Sequence, residues 1–325
     1  MLNRRNLMIG LALSAAVVGL TQPALAQDYP QRPITIIVPY VAGGGTDLTG
    51  RVLASALEKE LGKPVVVENV AGGGGAIGLG QLYNAPADGY TLALGTGSNT
   101  TIAPHAIEVA YDPLKFSYIG NFFSIPFMVI VNPKLPVHNI DELVAYGRDN
   151  PGALIMSTSG GFGIHDVGMA MLAERGGNIE YRTLPNGGAA ETTTRMISGD
   201  ANLTFSSPAT MIEHVKAGNL RAIGIISDVS VPEMDELGLA KVQDSLGFSI
   251  VNRTVLIAPP GLPEDIRAKL EAAMETVMAQ PTLIKQVADL GYVAQFKPGA
   301  ETQAETAEVF AEYGTIIDEI LTNQK

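Results

Sequence analysis

Three times along the chain a short apolar run leads straight into a glycine-rich loop and then into the start of a helix, at residues 38–47, 68–78 and 156–166. A buried strand that delivers the chain into a helix N-terminus is the building unit of an α/β fold, so its repetition restricts the architecture to sheets covered by helices. The flanking residues agree. Ile34–Val38 (ITIIV) reads as a strand buried on both faces. Thr46 can cap a helix whose apolar positions Leu48, Val52, Ala56 and Leu57 recur at helical spacing. Residues 64–68 and 90–94 read as further strands of a largely parallel sheet, the latter ending in Gly95-Thr96-Gly97-Ser98.

The pattern then restarts. An apolar run at 127–131 is followed by a helix at 140–148, a strand at 153–156, a loop through Ser157-Thr158-Ser159-Gly160-Gly161 and a helix from about His165. Residues 220–226 read as another buried strand and 254–258 as a return crossing, with helices beyond Pro263. A length of 325 residues fits two domains. The order predicts a first domain of residues 27–130 plus 254–325 and a second of 131–253. Two crossings between them form a hinge of the kind that lets lobes close about a cleft.

Residues 1–26 read as an export signal. Arg4 and Arg5 precede an uncharged apolar stretch at 7–20, and Ala24-Leu25-Ala26 is a small-x-small cleavage pattern. The apolar stretch is too short to span a bilayer. Adjacent arginines leave both the general secretory and the twin-arginine routes open. Cleavage after Ala26 takes the formal charge from −12 to −14, since two basic residues leave and no acidic ones. That acidity, with no run of Lys or Arg, argues against nucleic-acid binding. The absence of cysteine removes thiolate metal sites, cysteine nucleophiles, disulfides and a lipid-anchored cysteine together.

Few motifs carry catalytic chemistry. Gly73-Gly74-Gly75-Ala76-Ile77-Gly78 satisfies a dinucleotide-binding glycine pattern, but four consecutive glycines do so cheaply. No acid stands at the end of the next strand to hold a ribose. There is no phosphate loop with Lys, no G-x-S-x-G, and the four histidines (His105, His138, His165, His214) lack metal-ligand spacing. No catalytic residue, metal site or cofactor is therefore expected. The glycine-rich loops could serve only as tight turns. Three of them on two lobes beside a hinge point instead to anion binding, because helix N-termini leave backbone N–H groups unpaired and carry partial positive charge. Thr46, Ser98, Thr158 and Ser159 can add hydroxyl donors.

The string Tyr29-Pro30-x-Arg32-Pro33-Ile34-x-Ile36-Ile37-Val38-Pro39-Tyr40-x-x-Gly43-Gly44-x-x-Asp47 resembles the opening of the Bug-type solute receptors, the periplasmic substrate-binding proteins of tripartite tricarboxylate transporters. The likeness continues through Leu61-Gly62-Lys63-Pro64-Val65-Val66-Val67-Glu68-Asn69, Gly72-Gly73-Gly74-Gly75, Ala87-Asp88-Gly89-Tyr90-Thr91-Leu92, Tyr111-Asp112-Pro113-Leu114, His165, and Ala258-Pro259-x-Gly261-x-Pro263, covering essentially the whole mature chain. The resemblance implies a two-lobed periplasmic-binding-protein fold, type 2-like, that closes on a small carboxylate (a di- or tricarboxylate or an aromatic acid) and delivers it to membrane permease subunits. It implies a monomer and no enzymatic turnover. By the same resemblance the ligand site draws on Tyr40, Gly43, Gly44, Thr46, Asp47, Gly73, Gly74, Thr96, Gly97 and Ser98 of the first lobe. The second lobe supplies Thr158, Ser159, Gly160, His165, Asn186, Gly187, Gly188, Ser206 and Ser207.

Two departures bear on specificity. Where the family commonly has Pro-Tyr-Lys-Gly-Gly, this chain has Leu184-Pro185-Asn186-Gly187-Gly188, and where an acid commonly follows a phenylalanine it has Phe205-Ser206-Ser207. Both exchange charge for neutral hydrogen-bonding groups, which predicts a distal pocket not suited to an amino-acid ligand. An exported α/β enzyme acting on a small carboxylated substrate, or a receptor feeding a sensor, are the alternatives.

Overall fold

The computed structural model describes residues 29–158, 163–186 and 189–323. The expected export segment and the loop residues Ser159, Gly160, Gly187 and Gly188 lie outside the described residues.

The chain forms two lobes, each around its own sheet. The first begins β1 (Ile34–Val38), α1 (Gly45–Leu61), β2 (Val65–Asn69), α2 (Ala76–Tyr83), β3 (Thr91–Thr96), α3 (Ala103–Ala106) and β4 (Ser117–Ser124). Crossing at residues 125–127, the chain builds the second lobe from β5 (Met128–Val131), α4 (Ile140–Asp149), β6 (Leu154–Thr158), α5 (Ile164–Arg175), β7 (Tyr181–Pro185), α6 (Ala189–Ser198), β8 (Leu203–Ser206), α7 (Pro208–Lys216), β9 (Arg221–Ile225), α8 (Pro232–Asp235) and α9 (Val242–Leu246). It returns as β10 (Arg253–Ala258), then α10 (Glu264–Met278), α11 (Pro281–Asp289), β11 (Val293–Pro298) and the long α12 (Gly299–Asn323).

The sheet orders are β11-β4-β10-β3-β1-β2 and β7-β6-β8-β5-β9. Both sheets are mixed, not largely parallel as the sequence grammar predicts. β11 runs antiparallel to β4 at the edge of the first sheet, and the two other exceptions share one cause. β5 and β10 are the first strands after each crossing, so they start at the hinge and run away from it, antiparallel to both neighbours. The strands that feed α1, α5, α6 and α7 run the other way and end at the hinge side, which turns those helix N-termini toward the space between the lobes.

β1 is buried on both faces, as its composition requires. Ile34, Ile36 and Val38 pack with Leu53 and Leu57 of α1 and with Leu270, Met274 and Val277 of α10, while Ile37 faces Leu79 and Leu82 of α2. Complete burial of each such side chain stabilises by about 1.5–3 kcal/mol. Helix α1 starts one residue after Gly44, with no side-chain cap, so Thr46 lies inside the helix and does not cap it. The helix ends at Gly62 in the left-handed region, whose N–H reaches the Glu58 carbonyl at 3.0 Å.

The lobes are tied beside the crossings as well as through them. Ile125 N–H donates to the Asn252 carbonyl at 2.9 Å, joining the two crossing segments. Arg253 at the start of β10 pairs with Asp228 of the second lobe at 2.7 Å and with Glu305 of α12 at 3.4 Å. Near its middle α12 lies on the first lobe, where His105 Nε2 meets the Phe310 carbonyl at 2.9 Å. Further on, Tyr313, Ile316 and Ile317 enter the second lobe's core with Met169, Leu172, Phe248 and Ile250.

Candidate ligand-binding cleft

On the first lobe, three loops converge behind Tyr40. Its hydroxyl lies 2.7 Å from Thr96 Oγ1, and Asn99 Nδ2 donates to it at 3.4 Å. Asn99 also accepts the Thr96 N–H at 2.8 Å through Oδ1. A Cβ on Gly75 would sit 2.5 Å from Asn99 Nδ2, and Gly75 has φ +100°, so only glycine brings the four-glycine turn this close. Gly73 and Gly74 stand exposed ahead of it. Asn99, fully buried, thus joins the β1, β2 and β3 loops. Sequence reasoning missed it because a lone Asn after Gly-Ser carries no pattern.

Asp47 faces inward. At 2% exposure its carboxylate accepts from Gly43 N–H (2.8 Å), Asn69 Nδ2 (2.9 Å) and Arg51 Nε (3.1 Å), with Arg51 Nη2 also at 2.9 Å. Burial pushes this carboxyl up, but the bonds from Arg51, Gly43 and Asn69 outweigh it and hold the pKa below its usual value. The group fixes the Gly43 loop at the start of α1. Gly44, just before α1, and Thr46, in its first turn, are half-buried, and Gly97 backs onto Val251 and Asn252 of the return crossing, with Ser98 next to it.

Because the folded pKa is depressed, the stabilisation is fully present above the unfolded value of about 3.9 and is lost as pH falls through the folded one. Asp47→Asn is therefore expected to cost about 1.5–3 kcal/mol at pH 7, the range for hydrogen bonds to a charged group, with the deficit shrinking below pH 4. Urea unfolding of both proteins at neutral and acid pH measures it; a deficit independent of pH would contradict the assignment.

On the second lobe, a cavity of about 110 Å3 opens at the ends of β6 and β8, lined by Phe127, Ser157, His165, Thr192, Thr204, Phe205, Ser206, Ser207 and Thr210. Asn186 frames it, donating from Nδ2 to Ser157 Oγ at 2.7 Å and from its backbone to the Thr158 carbonyl at 3.0 Å. Thr158 Oγ1 is buried with no hydrogen-bond partner among the described residues. His165, Asn186, Ser206 and Ser207 are thus brought together beside Thr158. Phe127, Ser157, Thr192, Thr204 and Thr210 join them, though the sequence did not single them out as site residues.

The electrostatics are those of a neutral donor site. Among the described residues, no Lys, Arg, Asp or Glu lines the cavity. The His165 ring packs edge-on to Phe127 (centroids 5.3 Å apart), and burial lowers its pKa to about 4, so it is uncharged at pH 7. Asp166 beside it turns Oδ2 to the Gly163 N–H at 3.0 Å, and burial raises its pKa to about 6. Helices α1, α5 and α7 begin at Gly44, Gly163 and Ser207 without a side-chain hydrogen bond from the cap residue. Their first-turn amides and the hydroxyls are donors that suit a carboxylate. A larger groove of about 400 Å3 between α5, β7 and α12 includes Glu174 and Glu319 and sits at the far end of these elements from the cavity, which makes it a poor anion site.

The chain is similar to known proteins over nearly its whole length. The model of the tripartite tricarboxylate transporter family receptor matches residues 49–321. Protein BugT of Bordetella pertussis is 28% identical over 98% of both chains. A UPF0065 protein from the gbd 5' region of Cupriavidus necator is 32% identical over 92% of both. Among solved structures, a periplasmic transporter superposes with a TM-score of 0.72 at 29% identity, covering 89% of this chain and 97% of its own. The periplasmic binding protein BugD gives 0.70 at 26% identity, covering 90% and 98%. With the family model spanning both lobes and the cleft between them, the chain belongs to the tripartite tricarboxylate transporter receptor family.

Proposed function

We propose that this protein is an exported receptor that captures a small carboxylate between its lobes and hands it to the membrane permease subunits of a tripartite tricarboxylate-type transporter. The observation that carries this reading is the donor set of the cleft: backbone amides at helix N-termini, and hydroxyls, with no cationic side chain among the described residues lining the second-lobe cavity. In a chain of net charge −12, short-range dipoles hold an anion where the overall field repels it. Residues 1–26 serve as the export signal and are removed at Ala26. No described helix is long and apolar enough to cross a membrane. The two lobes close as a monomer about the crossings at 125–127 and 251–252.

Thermal unfolding of the mature chain against a panel of aliphatic and aromatic carboxylic acids tests the reading. A ligand at a hundred times its Kd adds about 2.7 kcal/mol of apparent stability. The expected result is stabilisation by at least one acid, which NMR then recovers unchanged after prolonged incubation. Conversion of the acid to product would mean an enzyme, and no stabilisation by any acid would remove the carboxylate reading.

A further inference from the structure

We propose that the Ser157 and Ser206 hydroxyls are the specificity-determining donors of the second-lobe cavity, and that they select a ligand whose distal group is a carboxylate while rejecting an α-ammonium. This rests on the carboxylate-receptor reading and adds what the far end of the ligand must be.

The hydrogen-bond inventory of the cavity carries the inference. Ser157, fully buried, already accepts the Asn186 Nδ2 proton at 2.7 Å, so its own proton is left to give. Ser206 lines the cavity at 8% exposure, and among the described residues its hydroxyl forms no hydrogen bond, so its proton is free to meet an acceptor on the ligand. Ser207 and Thr210 share one bond between hydroxyls at 3.2 Å, which leaves the second proton of that pair available. Ser207 also heads α7, a nine-residue helix whose N-terminal end favours negative charge.

Among the described residues no charged acceptor for a cation lines the cavity. The Ser157 carbonyl already receives the Thr204 hydroxyl at 2.9 Å. Of the two carboxylates next to lining residues, Asp166 is turned to the Gly163 amide and Glu191 pairs with Arg195 at 2.6 Å. The loops at 159–162 and 187–188 contain only Ser, Gly and Phe, so they bring no charge. His165 is neutral and cannot pair with an anion as an imidazolium. An ammonium here would be a buried cation without a counter-charge, among the least favourable arrangements in a protein interior.

Calorimetry on the mature chain with matched acids tests the proposal: succinate against aspartate, glutarate against glutamate, and adipate against its α-amino counterpart. The expected result is that the best dicarboxylate binds at least about tenfold tighter than its amino form. Ser157→Ala and Ser206→Ala should each weaken that dicarboxylate by about fivefold or more, yet leave the monocarboxylate of the same chain length within about twofold. Equal or tighter binding of the amino acid by the unaltered protein, a comparison that needs no variant, overturns the proposal while the receptor reading stands. Equal weakening of mono- and dicarboxylate by both variants also overturns it. Failure of every acid to bind overturns the carboxylate reading itself, and the inference with it.

Discussion

Ala209→Trp is expected to weaken ligand capture about a hundredfold while both lobes stay folded. Ala209, exposed on α7 of the second lobe, meets Gly291 in the turn between α11 and β11 of the first lobe, so closely that a Cβ on Gly291 would collide with the Ala209 Cβ. Gly291 has φ +82°, which glycine adopts freely and other residues do not. The next residue, Tyr292, stacks on Phe123 and places its hydroxyl against Gly45 at the start of α1. Lobe contact and the Gly43 loop are therefore mechanically adjacent. An indole at 209 props the lobes apart, and when the binding-competent closed state falls to about one part in a hundred, apparent affinity falls in proportion. Calorimetry gives the affinity and solution scattering the shape: the variant should keep its open dimensions at saturating ligand, with a melting temperature close to that of the parent. Unchanged affinity would show that this contact does not limit closure.

Tyr313→Ala is expected to cost about 3–5 kcal/mol, the range for deleting a fully buried aromatic side chain. Tyr313 is 1% exposed, sits in the second lobe's core beside Ile316 and Ile317, and its hydroxyl accepts the Val251 N–H at 2.9 Å, at the return crossing. Removing the ring opens a cavity in the second lobe and leaves a hinge amide unpaired. Tyr313→Phe keeps the packing and isolates the second effect, expected at about 1–3 kcal/mol. Denaturant unfolding measures both. A loss under 1 kcal/mol for the alanine variant would mean that α12 rests on the second lobe without supporting it.

Much of the fold is legible because its strands are strongly patterned. ITIIV at β1 and TVLIA within β10 are apolar runs bounded by turn residues, and both are buried as read. Other strands leave no such trace. β4 (SYIGNFFS) is almost wholly buried yet contains Ser, Gly and Asn, since Asn121 donates to the Gln295 carbonyl at 2.7 Å and so belongs inside. β7 (YRTLP) is an exposed edge strand with no apolar period to detect. The reversed direction of β5 and β10 follows from chain connectivity across the hinge, which local pattern does not encode.

The cleft divides in the same way. The glycine loops, Tyr40, Thr96, His165, Asn186 and Ser206 come from quoted motifs. Asn99, Ser157 and Thr204 become visible only once the fold brings separate segments together, because each acts through a bond to another one: Asn99 to Tyr40, Asn186 to Ser157, and Thr204 to the Ser157 carbonyl. Asp47 stands in the quoted opening string, yet its carboxylate is occupied by Gly43, Asn69 and Arg51. A sequence names the residue and is silent on the direction of its side chain.

The most direct test of the central claim, that an acidic receptor holds a carboxylate with neutral donors from both lobes, is a crystal structure with the tightest-binding acid. The account predicts carboxylate oxygens within about 3.2 Å of backbone N–H groups and hydroxyls. It expects first-lobe partners at the loops around Tyr40 and Thr96, and second-lobe partners at Ser157 and Ser206. A Lys or Arg side chain paired with the carboxylate, or an acid seated outside the cleft, would contradict it.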